Sequence, residues 1–167
     1  MPKLQKITPF MWFDSQAEEA AKFYTGIFKN AEITTITHYG EAGKEIHGRP
    51  PGSVMTVGFE LEGQNFTAIN GGPVFKFTPA ISFVISCDTQ DEIDYYWNKL
   101  SVGGEPAAQQ CGWLADKYGA SWQVVPRLLM ELLTDEDEAR ADRAMGAILQ
   151  MKKIDIETLK RATAVIE

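Results

Sequence analysis

Apolar and polar positions change period along this chain in an order that occurs twice. Residues 5–13 (QKITPFMWF), in a first module that starts near Leu4, are short, apolar and aromatic. They predict a strand near a sheet edge, because Pro9 brings no N–H to a ladder. Ser15 followed three residues later by Glu18 reads as a capping box. Ala17, Ala20, Ala21, Tyr24, Ile27 and Phe28 then recur at helical spacing. Residues 31–37 are β-branched and predict a strand, whereas 39–53, rich in Gly and Pro, predict a loop that can act as a lid. Residues 54–61 and 65–70 predict two strands joined by a hairpin at Gly63.

The second half starts with an apolar strand at 80–87. Thr89 with Glu92 is another capping box, and Ile93, Tyr96, Trp97 and Leu100 fall on one helical face. Gly103-Gly104 is expected to close that helix. Strands are expected at 105–110, 111–116 and 121–126. The two helix starts, Asp14-Ser15-Gln16-x-Glu18 and Asp88-Thr89-Gln90-x-Glu92, match at an offset of 74 residues. This points to a duplicated β-α-β-β-β unit. The fold class is therefore α+β: two paired modules, about 4–72 and 78–126, forming a cupped sheet, plus C-terminal helices at about 127–167. Pro126 should stop the last strand, and 127–133 form a short helix. Thr134 or Asp135 should cap the next helix, with Ala141, Ala144, Met145 and Ile148 on one face. Leu159, Ala162, Thr163 and Ile166 form the last stripe. These stripes are expected to pack on the sheets or on a second subunit.

A 167-residue chain fits one domain that buries a sufficient core without a disulfide or metal staple. No apolar run approaches the ~18 residues of a membrane span, and the N-terminus lacks a signal-peptide pattern, so a cytoplasmic protein is expected. The two cysteines, Cys87 and Cys111, suit a reduced compartment. A formal charge of −7 argues against nucleic acid as a partner.

Three strings, ITPFMWFDSQAEEAAKFYTGIF, FTAINGGPVFKFTPAISFVISC and QCGWLADKYGASWQVVP, resemble the PhnB-like branch of the vicinal oxygen chelate (glyoxalase/bleomycin resistance/dioxygenase) superfamily. That branch often carries the label 3-demethylubiquinone-9 3-methyltransferase. The resemblance runs through nearly the whole chain, the acidic tail included. It implies the glyoxalase-like fold, a homodimer and a small-molecule ligand. In metal-dependent members the ligands come from the first and last strand of each module, usually as His or Glu. Here those strands offer Thr8 or Pro9, Asn70, Ser82 and Gln123, which are poor ligands for a divalent ion. The only histidines are His38 and His47. With Glu41 and Glu45 they could form a loop site, although loop histidines are usually just solvated. No cofactor is therefore predicted. S-adenosylmethionine finds no GxGxxG pattern, since Gly71-Gly72-Pro73 follows a strand but precedes no helix.

Alternation places Pro9, Met11, Phe13, Ala68, Asn70, Ser82, Val84, Gln123 and Val125 on the cup face, and Trp12 and Trp122 beneath the helices. Candidate ligand-cavity residues are Met11, Phe13, Asn70, Phe75, Ser82, Trp113 and Gln123. Phe77 is weighed against the core in the same way. Cys111 and Gln123 are the candidates for a chemical role, though free cysteine is more often a small buried hydrophobe. Cys87 and Trp97 read as structural. Function divides three ways: an enzyme or binding protein without the usual metal, a sequestering protein for a cationic planar ligand, or the methyltransferase of the family label. The residues alone leave open whether it is an enzyme.

Overall fold

A computed structural model describes residues 5–165. Leu4 and Ile166, the expected outer limits of the first module and the last stripe, lie outside them. The chain divides between Lys76 and Phe77 into two compact units, each with one sheet.

The first unit runs β1 (Phe10–Phe13), α1 (Ala17–Thr25), β2 (Ala31–His38), α2 (Lys44–His47), β3 (Val54–Leu61) and β4 (Gln64–Asn70). The sheet order is β1-β4-β3-β2, with β1 parallel to β4 and the other pairs antiparallel. This is the expected β-α-β-β-β order, with a single helical turn inside the 39–53 loop. β1 is shorter than predicted. Upstream of Pro9 the chain is held to β4 by the Gln5 side chain, whose Nε2 donates to the Asn65 carbonyl (3.0 Å) and whose Oε1 accepts the Asn65 N–H (3.0 Å). Glu62 (φ 48°) and Gly63 (φ 82°) make the two-residue β3–β4 turn, in which both central residues need positive φ. Ala17, Ala20, Ala21 and Tyr24 of α1 are fully buried. Tyr24 stacks on Phe59, and Phe59 on Phe66, at 5.9 and 5.3 Å between ring centroids. Each such pair contributes about 0.5–1.5 kcal/mol beyond area burial.

The Ser15–Glu18 capping box does not form. Gln16 occupies the cap position, and the Ala17 N–H donates instead to Asn70 Oδ1 at 2.8 Å. The cap comes from 53 residues away in sequence, which local pattern cannot reveal. The second box does form: Thr89 Oγ1 accepts the Glu92 N–H (3.2 Å), and Glu92 Oε2 accepts the Asp88 N–H (2.6 Å).

The second unit runs β5 (Ser82–Cys87), α3 (Gln90–Leu100), β6 (Trp113–Ala115), β7 (Ser121–Pro126), α4 (Arg127–Leu133), α5 (Glu138–Ile148) and α6 (Ile156–Ala162). Its sheet order is β5-β7-β6, with β5 parallel to β7. The strand expected at 105–110 is absent: Pro106 opens a 3-10 turn, and the Glu105 side chain accepts the Ala107 N–H. Only a single bridge, Gln110 to Trp113, precedes β6. Ile93, Trp97 and Leu100 are buried on α3 as predicted. The cap of α5 is Asp137, not Thr134 or Asp135; Asp135 instead accepts the Asp137 N–H and pairs with Arg140 at 2.7 Å.

The tail has its own core of Leu129, Leu132, Ala144, Ile148, Ile154 and Leu159 around Val125 of β7. Polar bonds fasten it to the unit. The Cys111 and Gly112 N–H groups donate to the Met151 and Lys152 carbonyls, both at 2.8 Å. Gln90 donates to the Ile154 carbonyl and accepts the Ile156 N–H, while Lys153 pairs with Asp94 at 2.7 Å. The fold is thus α+β, two mixed sheets each carrying a helix, with C-terminal helices on the second unit. No helix among the described residues is long and apolar enough to cross a membrane.

Candidate functional site

In the first unit α1 decides which sheet face is covered. Residues paired across strands share a face, so Phe59 under Tyr24 assigns Phe66, Val57, Ala68, Met11, Phe13 and Asn70 to the helix side. Met11 and Phe13 are each 3% exposed. They are core residues, and Asn70 is the cap of α1, so the expectation that all three look into a cup is corrected. The physical reason is that Phe10, Met11, Trp12 and Phe13 are apolar on both faces, so periodicity carries no parity signal.

The opposite, helix-free face is ordered in rows. Trp12, Ile69, Thr56 and Thr37 form one row, and Phe10, Thr67, Gly58 and Thr35 the next. Asn65, Glu60 and Glu32 form a third. Trp12, expected beneath a helix, therefore stands on this open face. Its Nε1 donates to the Gly72 carbonyl (2.9 Å), and its ring meets Phe75 edge-on at 4.9 Å. A Cβ at Gly71 would lie 2.1 Å from the Trp12 ring, so Gly71 lets the indole pass close to the backbone. A bulge at Ile33/Thr35 brings the Thr34 and Thr35 hydroxyls together over Gly58.

The 39–53 segment is fastened at the end of this face. The Tyr39 hydroxyl donates to the Asn70 carbonyl (2.6 Å), and Arg49 Nη2 donates to the Asp14 carbonyl (2.7 Å). The His47 ring lies tilted against Tyr39 at 4.5 Å between centroids; its Nδ1 accepts the Arg49 N–H, and its Nε2 lies 3.1 Å from the Ala42 carbonyl. Both imidazole nitrogens are thus engaged by backbone.

In the second unit Ile93, Trp97 and Leu100 of α3 are buried, and so are Ile85, Cys87, Leu114, Trp122 and Val124 of the sheet. The alternate face carries Ser82, Val84, Ser86, Trp113 and Gln123, of which alternation placed Ser82, Val84 and Gln123 together. Gln123 Nε2 donates to Ser82 Oγ at 2.9 Å. Val84 is exposed, whereas Val125 on the same face is covered by the tail core. Trp122 donates its Nε1–H to Asp116 at 2.9 Å beneath the sheet. Burial pushes the Cys87 thiol up to about 12, helped by the nearby Glu92 and Asp88 charges, so it stays protonated and unreactive.

Cys111 sits with Gly112 in the two-residue turn between Gln110 and Trp113, at φ 53° and 83°. A non-glycine residue there is strained by roughly 1–2 kcal/mol, less for Asn. Cys111→Asn is expected to raise stability by about 0.5–1 kcal/mol, measured by thermal unfolding. A lower melting temperature would show instead that the thiol contributes packing that Asn cannot supply.

The donor set does not fit a resident divalent metal. Among the described residues no group of three or more His, Cys, Asp or Glu could hold an ion. Ser82 and Gln123 are neutral and already bonded to each other. The Gly71-Gly72 pair is accounted for by the passage of Trp12, not by a phosphate cradle.

A β-α-β-β-β unit with one covered and one open sheet face places the protein in the class of small α+β folds built on mixed sheets. The family described as 3-demethylubiquinone-9 3-methyltransferase matches residues 5–125, and the chain belongs to it. The chain is 40% identical to a PhnB protein from Bacillus cereus with the same methyltransferase description, over 73% of this chain and 99% of that one, with a TM-score of 0.61. A protein from Pseudomonas aeruginosa is 19% identical over 74% of this chain and 98% of that one, with a TM-score of 0.57. The fosfomycin resistance protein FosX of Listeria monocytogenes is 14% identical over 81% of this chain and 99% of its own, with a TM-score of 0.50. The last two show likeness of fold alone. Comparison with curated proteins gives no significant match. The family match stops at Val125, so the helical tail, expected to be part of the resemblance, lies outside it.

Proposed function

We propose that this protein binds a small organic molecule on the helix-free sheet faces, without a resident metal, as a member of the vicinal oxygen chelate superfamily. The observation that carries the reading is Trp12. A large aromatic side chain stands on an open sheet face, braced by Gly72 and Phe75, among threonine hydroxyls. An apolar surface with a few placed polar groups is the usual make-up of a ligand site. In the second unit Trp113, Ser82 and Gln123 repeat that combination. Within this reading the protein works as a cytoplasmic homodimer, and its charge of −7 disfavours nucleic acid.

The test is a small-molecule screen by thermal shift with a chelator present throughout. Stabilising compounds are expected under those conditions. Stabilisation that appears only when manganese, zinc, nickel or iron is added would overturn the metal-free reading. The family description favours methyl transfer as a second reading. Incubation with S-adenosylmethionine and a catechol-type quinol precursor tests it directly, through formation of the methylated product.

A further inference from the structure

We infer that the ligand of the first unit's open face is an aromatic compound that carries no negative charge. The inference rests on the proposed small-molecule site and adds the chemical class of its occupant. Three observations carry it. The first is the aromatic wall: Trp12 edge-on to Phe75, with Phe10 one row away, and both phenylalanines more than half exposed. Offset or edge-to-face packing against such a pair favours a planar ring.

The second is the charge of the face. Three of its rows hold two carboxylates, Glu60 and Glu32, paired across β2 and β3, and no Lys or Arg, while a fourth row at the end of β2 pairs His38 with Val54. A phosphonate, phosphate or carboxylate is normally held by a guanidinium, an ammonium or converging backbone N–H groups. The N–H groups of the inner strands β3 and β4 are committed to the sheet ladders.

The third concerns Arg49, the guanidinium at the edge of the face beside Gly72. Its Nη2 is bonded to the Asp14 carbonyl at 2.7 Å and approaches the Asp14 carboxylate at 3.4 Å. That nitrogen is thereby turned toward Asp14 at the edge of the face. The polar groups left for a ligand are the threonine hydroxyls and the Asn65 amide, which suit hydroxyl, carbonyl or amine functions.

The experiment uses the full chain and three phenyl probes of similar size: benzylphosphonate, 2-phenylethanol and phenyltrimethylammonium. Binding is followed by saturation-transfer NMR and quantified by titration. Each probe is repeated on Phe75→Ala, an exposed position whose loss leaves the core intact, and on Trp12→Leu. The alcohol, the ammonium or both should bind at least about tenfold more tightly than the phosphonate, a difference equivalent to 1.4 kcal/mol. Phe75→Ala should weaken that binding several-fold. Phosphonate binding as tight as the others, and dependent on Phe75, would overturn the charge class while leaving the small-molecule site standing. Binding by none of the three, or binding indifferent to both substitutions, would overturn the site itself.

Discussion

Asp116→Ala should lower stability by about 3–5 kcal/mol, the largest single effect expected outside the apolar core. The carboxylate is 2% exposed and accepts three N–H groups: Trp122 Nε1 at 2.9 Å, the Tyr118 amide at 2.9 Å and the Ala120 amide at 3.1 Å. An ionised carboxylate is acceptor-only, so it can satisfy all three at once. Truncation takes this acceptor away from the Trp122 indole and the Ala120 amide, and both residues are buried. At about 2–4 °C per kcal/mol for a chain of this size, the melting temperature should fall by roughly 10 °C. Asp116→Asn refines the prediction. Its single oxygen can keep the two turn amides, but its NH2 group then faces the indole N–H, donor against donor. An intermediate loss with an altered Trp122 near-UV signal is expected. If Asn were as stable as Asp, the Asp116–Trp122 bond would not be contributing.

Asn70→Ala should cost about 2–3 kcal/mol, from loss of a helix cap and of one further buried bond. Asn70 Oδ1 caps α1 through the Ala17 N–H, and its Nδ2 donates to the Val54 carbonyl at 3.1 Å. Its own carbonyl receives the Tyr39 hydroxyl, so the residue joins the ends of β4, α1, β3 and the 39–53 segment. Asn70→Asp separates the two side-chain bonds. The carboxylate keeps the cap and complements the helix N-terminus, but its second oxygen then faces the Val54 carbonyl, acceptor against acceptor. It should cost about 1–2 kcal/mol, less than Asn70→Ala. Chemical denaturation of both variants checks the pair. An Asn70→Ala loss below about 0.5 kcal/mol would mean that the Ser15–Glu18 box can take over the cap, the arrangement local pattern predicts.

The two capping motifs show where sequence reading stops. Their patterns are nearly the same, yet only Thr89–Glu92 is used. At the first, an amide from β4 reaches the helix end before Ser15 does. The same limit applies to the open face. Strand parity in the second unit was legible because Ser82, Ser86 and Gln123 differ in polarity from Ile85 and Val124. In the first unit Phe10 to Phe13 are all apolar, so alternation is silent about which side takes the helix.

The chain read alone carries the β-α-β-β-β order of the first unit, the strand and helix that open the second, the β3–β4 turn, the short helix after Pro126 and the family. These rest on local signals: periodicity, positive-φ turn residues, proline's missing donor and strings of specific residues. The fold settles which face of β1 and β4 is open, and with it that Trp12, not Met11, Phe13 or Asn70, stands on that face. It also decided that 105–110 is a 3-10 turn and not a strand, and that the tail is locked through Gln90, Cys111 and Gly112. For the open face, the α1 cap and the tail the controlling contact lies far away in sequence, Tyr24 on Phe59, Asn70 on Ala17 and Met151 on Cys111, whereas the 105–110 turn is set locally by Pro106 and Glu105. Local pattern sets what a segment can form, and the contact it finds sets which side of that segment faces outward.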